Sequence, residues 1–155
     1  MRLKDKSIEE REVIDRIIHQ AQICHLACSL NDQPYLVPLS FGYDGKTIFV
    51  HTARVGKKIE IWINNPQVCL EFEIGIDLVS GPDKACDWTF HFQSVIAFGL
   101  IREITDPADK KHGLNHIMNH YSGKEWEMPD LEISRTKIWG VDILSVTGKR
   151  SPIEK

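Results

Sequence analysis

The sequence predicts a mainly β protein, an antiparallel barrel with helices outside it. Three observations carry that expectation. Strand-like stretches outnumber helix-like ones. The strands are joined by hairpins and one short helix, without regular strand–helix alternation. Neither Gly-x-Gly-x-x-Gly nor Gly-x-x-x-x-Gly-Lys-Ser/Thr occurs, which argues against a dinucleotide fold and a nucleotide P-loop.

Each element has a local cause. Ser7 to Glu10 has the Ser-x-x-Glu spacing of a capping box. Ile8, Val13, Ile14, Ile17, Ile18 and Ala21 then follow the spacing of an amphipathic helix. Residues 23–29 read as a strand, Asn31-Asp32 as the turn after it, and 34–43 as a second strand. Tyr43-Asp44-Gly45-Lys46 signals a tight hairpin, because Asp-Gly suits positive backbone angles. The returning strand is Thr47 to Thr52. A helix spans Lys57 to Asn64, and Asn65-Pro66 ends it. Residues 67–75 alternate like a strand, 80–84 form a Gly/Pro/Asp loop, and a long strand runs from Trp88 to Ile104. Asp106-Pro107 caps a helix reaching Tyr121. Residues 122–134 read as a loop and Thr136 to Val146 as the last strand.

The 155 residues make one domain, 1–155. A net charge of −3 and no basic stripe predict no nucleic-acid partner. The apolar runs are too short to span a bilayer, so no membrane partner is expected. The charged N-terminal stretch MRLKDKSIEEREVIDR lacks the apolar core of a signal peptide, and the expected location is the cytoplasm. Cys24, Cys28, Cys69 and Cys86 form no Cys-x-x-Cys pair and read as reduced thiols.

The stretch Pro38 to Ile59 is the most informative. A hairpin strand delivers the chain to a loop holding Arg54, Gly56, Lys57 and Lys58, and a helix begins there. Free N–H groups at a helix start, a glycine and three cations suit a phosphate. A solvated basic turn is the alternative reading of the same residues.

Further motifs carry a resemblance. Cys24-His25-Leu26-Ala27, Pro34 to Phe41, Ile48 to Ala53, Gly56-Lys57-Lys58, Asn65-Pro66 and Val68-Cys69 resemble the pyridoxamine 5'-phosphate oxidase-related, FMN-binding split-barrel superfamily. The similarity continues through Ala85 to Trp88, Ser94-Val95, Gly99 and Thr147-Gly148-Lys149, over residues 10–150, and is closest to the nitroimidazole-resistance (Nim-type) branch. The resemblance implies a six-stranded antiparallel split barrel with peripheral helices, forming a homodimer with FMN at the interface. It implies cofactor contacts from Val37, Pro38, Leu39 and Ser40 along the flavin, and from His51, Thr52 and Ala53 at the strand end. Gly56, Lys57 and Lys58 would take the phosphate, and Ser94 would reach the flavin. His51 is the catalytic candidate, as cofactor contact and proton donor, with a structural histidine as the alternative. Trp88 or Trp139 would flank the cleft from a second subunit.

The implied activity is FMN-dependent electron transfer from a nicotinamide donor to a small organic acceptor, a nitroaromatic among the candidates. The alternative is a non-enzymatic flavin- or haem-binding protein for storage, sensing or scavenging, and some relatives take a deazaflavin. The oxidase branch carries Arg where Tyr35-Leu36 and Ile143-Leu144 stand here, and no Arg-Leu-x-Pro end is present. True pyridoxamine phosphate oxidase activity is therefore not expected. No metal ligand set is assigned. His112, His116 and His120 share one face of a helix and read as an exposed surface, with a transition-metal site on that helix as the alternative. Trp126, in a polar loop, is a candidate lid or dimer contact.

Overall fold

A computed structural model describes residues 6–81 and 83–151. Residues 1–5 of the charged N-terminal stretch, residue 82 of the 80–84 loop and the last four residues lie outside the described residues. The chain runs β1 (Ser7–Ile8), α1 (Arg11–Gln20), β2 (Cys24–Leu30), β3 (Gln33–Leu39), β4 (Gly42–Tyr43), β5 (Thr47–Thr52), α2 (Lys57–Asn64) and β6 (Gln67–Val79). A 3-10 turn (Ala85–Asp87) leads to β7 (Thr89–Ile104), α3 (Pro107–Ser122), α4 (Asp130–Arg135) and β8 (Lys137–Arg150).

The strands form one sheet of order β3-β2-β6-β7-β8-β5-β4, with β1 paired to β8, and every pairing is antiparallel. β1 and β4 are two residues each, and the other six are the six strands of the expected split barrel. The sheet does not close, because β3 and β4 stand at its two ends. Register shifts between Ile74 and Asp77 and between Phe98 and Gly99 bend the long strands and let the sheet curl. Its inner face is built by alternation: Cys24, Leu26 and Cys28 on β2, and Val68, Leu70 and Phe72 on β6, point into the core. They meet Ile14, Ile17 and Ile18 of α1 and Ile59 and Trp62 of α2. Burial pushes the Cys24 thiol up to about 12, which keeps it an uncharged core residue.

Four local expectations change. The capping box does not form: Ser7 and Ile8 pair with Lys149 and Gly148, and α1 starts at Arg11 behind Glu10, which makes no side-chain cap. Strand pairing and burial of Ile8 outweigh the local cap. The strand predicted over 34–43 breaks at Ser40-Phe41, where Phe41 turns into the core and its N–H donates to Tyr121 Oη (3.1 Å). The loop predicted over 122–134 contains the start of α4, which Ile133 anchors in the core. β8 continues past Val146 to Arg150 against β7.

Of the histidine row, His112 is exposed as expected, while His116 and His120 are half-buried. α3 lies on β4 and β5, and the row faces them. His112 reaches Asp44 Oδ2 (3.5 Å), and His116 stacks on Phe49 with centroids 5.6 Å apart. His120 packs on Phe41 at 4.4 Å, and its Nε2 donates to the Ala21 carbonyl (2.8 Å). Burial holds His116 and His120 below the ordinary histidine value of 6.5, with His112 and His19 adding repulsion respectively. The unfolded chain therefore binds more protons than the folded one just below 6.5, and stability drops as pH falls through that window. Thermal melts are expected to show a lower midpoint at about pH 5.5 than at about pH 7.5, with a smaller difference in His120→Gln.

The same contact fixes Gly42. A Cβ there would stand 2.3 Å from the backbone of His116 and Ile117. Only glycine lets β4 approach α3 this closely. Gly42→Ala is expected to destabilise by about 1–3 kcal/mol or more, read as a lowered urea midpoint.

Candidate functional site

The site follows from how β5 ends. β5 pairs with β8, with His51 opposite Ile138 and Thr52 opposite Lys137. Trp139 Nε1 donates to Thr52 Oγ1 (3.0 Å), and that hydroxyl donates to the Ala53 carbonyl (2.8 Å). The strand end is thus locked, and Thr52 keeps only a lone pair for a further partner. The chain then crosses Arg54 and Val55 to Gly56, whose φ of 152° and ψ of 161° belong almost only to glycine. Nothing lies within 4 Å of where its Cβ would be, so the backbone there is open to approach.

Gly56 caps α2. The N–H groups of Ile59 and Glu60 return to its carbonyl, while those of Lys57 and Lys58 precede the first turn and have no helical acceptor. Arg54, Gly56, Lys57, Asn64 and Lys137 line an open depression of about 840 Å³. Lys57 Nζ stands 4.9 Å from the centroid of Tyr35 on β3. Among the described residues, Arg54, Lys57 and Lys58 enter no ion pair, so their charge is available. Lys137 is held by Glu103 Oε2 at 2.9 Å. Sequence reasoning missed Lys137. It lies 80 residues from Lys57, and only the β5–β8 register brings it to the loop.

The predicted residues divide into two groups. His51, Thr52, Ala53, Gly56, Lys57 and Lys58 lie together at the end of β5 and the start of α2. His51 is exposed, and its side chain makes no hydrogen bond among the described residues. Val37, Pro38 and Leu39 end β3, the edge strand beside Lys57, with Ser40 following. Val37 and Leu39 turn their side chains to the core, so only the free strand edge, Pro38 and Ser40 face outward there. Ser94 is not brought to this loop within one chain. It sits on β7 between Glu73 and Lys149, ten residues before Ile104. Ile104 pairs with Ile138, which pairs with His51, so Ser94 is roughly 30 Å of strand away. Trp139 is only 2% exposed and packs on Trp62, so it cannot flank a cleft on another subunit. Trp88 is 53% exposed and free to do so. Trp126 is also exposed, with its Nε1 donating to Ser122 Oγ (2.9 Å).

The fold and this loop define an open antiparallel split barrel with a basic helix start at its rim. The profile of the pyridoxamine 5'-phosphate oxidase family matches residues 10–150, and the chain belongs to that family. A candidate 5-nitroimidazole antibiotic resistance protein from Bacteroides thetaiotaomicron VPI-5482 is 33% identical, with a TM-score of 0.82 over 93% of this chain and 86% of that one. An FAD- and haem-binding protein from Mycobacterium smegmatis shares the fold at 16% identity, with a TM-score of 0.82 over 97% and 77% of the two chains. An uncharacterised protein of Rhizobium meliloti (strain 1021), RA0666, is 30% identical over 64 residues, 41% of this chain and 42% of that protein's length. No helix among the described residues is long and apolar enough to cross a membrane.

Proposed function

We propose that the chain binds FMN and uses it to pass electrons from a nicotinamide donor to a small organic acceptor, with nitroaromatics among the candidates. The observation that carries this reading is the open Gly56 backbone beside unpaired Arg54, Lys57 and Lys58 at a helix start, in a member of this family. The residues present fit a phosphate-bearing flavin. The α2 N–H groups and Lys57 would hold the phosphate, Arg54 would add charge, and the free edge of β3 would lie along the ring. His51, exposed at the strand end, would donate a hydrogen bond or a proton at the ring or ribityl side. The flavin would supply the redox chemistry, and the chain would supply binding, orientation and electrostatics.

A homodimer belongs to this proposal. Leu36, Phe98, Leu100 and Leu144 are each at least 40% exposed on the outer side of the sheet. The register puts Leu36 and Phe98 in one row across β3, β2, β6 and β7. A second copy would cover this apolar surface. It would also bring Ser94, remote within one chain, toward the phosphate loop of its partner.

A second reading, a flavin- or haem-binding protein without turnover, is favoured by Tyr35-Leu36 and Ile143-Leu144, which replace the substrate arginines of the oxidase branch. The absorption spectrum of the purified protein separates these readings, followed by anaerobic reduction with NADH or NADPH and addition of a nitroaromatic. The expected result is flavin bands, release of FMN on heating and reoxidation by the acceptor. A flavin that is never reduced supports the second reading. A Soret band in place of flavin contradicts the first.

A further inference from the structure

On the outer face of the sheet, three metal-ligating side chains meet across β2 and β6. The register sets His25 directly opposite Glu71, and Glu73 follows two residues on, on the same face. One ligand atom of each lies within 4.8 Å of the other two. His25 Nδ1 stands 3.2 Å from Glu71 Oε2. Two ligands about 2.0–2.2 Å from a tetrahedral ion stand ~3.4 Å apart, so this pair already has the required spacing. The strand ladder fixes all three Cα positions, and Glu73 needs only a side-chain rotation to join them.

The charge is unbalanced. Among the described residues Glu71 pairs only with His25, and Glu73 enters no ion pair. Two carboxylates thus share one imidazole within 4.8 Å, where like charges repel. A bare His–Glu pair does not need this second carboxylate, whereas a cation would relieve the repulsion. Glu73 also lines an open cavity of about 500 Å³ with Gln20 and Gln22, which gives water access to a remaining coordination position.

We propose that His25, Glu71 and Glu73 form a site for a divalent transition-metal ion of the zinc class, with three protein ligands and water completing the shell. One imidazole with two carboxylates suits Zn²⁺ better than Ca²⁺ or Mg²⁺, which take all-oxygen sets. The site is separate from the Gly56 loop, and His25 stands opposite Pro38 on β3.

The test is Zn²⁺ titration calorimetry on the full chain after chelation, with the melting temperature recorded in parallel. The expected result is one ion per chain and a melting temperature that rises with Zn²⁺. Glu73→Gln keeps the His25–Glu71 pair and alters only an exposed side chain, so it should fold. It is expected to weaken binding about 10- to 100-fold and to abolish the thermal shift. His25→Ala should do the same. The double variant His112→Asn, His116→Asn should bind as the parent does, because the α3 row is not the site. Absence of binding, equal binding by Glu73→Gln, or loss of binding in the α3 variant each overturns the proposal.

Discussion

Lys57→Ala is expected to weaken FMN binding about 10- to 100-fold, with no change in the fold. Lys57 is exposed, and its one close partner is the Tyr35 ring at 4.9 Å, so its removal leaves no buried group unsatisfied. What is lost is a charge-assisted bond to the phosphate, a contact of about 1.5–3 kcal/mol. Binding should not vanish, because Arg54 and the N–H groups at the start of α2 remain. Flavin fluorescence titration measures the effect. Added salt should narrow the gap between parent and variant, since the interaction is partly exposed. Equal FMN affinity of parent and variant would place the phosphate elsewhere.

Trp62→Ala is expected to cost about 3–5 kcal/mol and to lower the melting temperature by roughly 10 °C. Trp62 is 2% exposed and lies edge-on to Trp139, with centroids 5.2 Å apart at 69°. Trp139 in turn locks Thr52 at the end of β5. The two indoles therefore tie α2 to the strand that precedes it, and the Gly56 cradle lies between them in the chain. Loss of Trp62 leaves Ile59 and Ile61 as the buried anchors of α2, so FMN affinity should fall along with stability. The buried Nε1–H of Trp62 has no hydrogen-bond partner among the described residues. Trp62→Phe removes volume and the indole N–H that faces the Cys28 thiol, and it should keep the helix docked and bind FMN nearly as the parent does. Circular-dichroism melts and FMN titration of both variants check this. An alanine variant that melts like the parent contradicts the packing account.

Much of the fold was legible because the informative signals were local. Asp44 shows why. Its carboxylate accepts from the N–H groups of Lys46 and Thr47 (2.9 and 2.8 Å), while Gly45 takes a φ of 95°, and that turn chemistry is written in four consecutive residues. Asn31 and Asp32, with φ of 51° and 60°, make the other tight turn in the same way. The bounds of β5 and α2 were legible for the same reason, through an apolar run and a glycine-to-Asn-Pro frame. Long-range choices were not. Ser7 and Ile8 carry a good local helix cap, yet pairing with β8 claims them. The orientation of the histidine row depends on which side of α3 meets Phe41 and Phe49, and four-residue spacing gives no sign of that. Trp139 alternates like any strand residue, and only the sheet register turns it inward. Lys137 is the same case at the site itself. The loop at Gly56 could be placed because its residues are contiguous, whereas Ser94 lies ten residues along β7 from the row that reaches His51.

Comparing FMN with riboflavin tests whether the Gly56–Lys58 helix start holds the phosphate of a flavin. The two share the ring and ribityl chain and differ by the phosphate alone. Titration of the cofactor-stripped protein with each, followed by flavin fluorescence, is expected to give at least ~10-fold tighter binding of FMN, and Lys57→Ala should shrink that ratio without changing the riboflavin affinity. Equal affinity for the two flavins, or binding of neither, would contradict the claim.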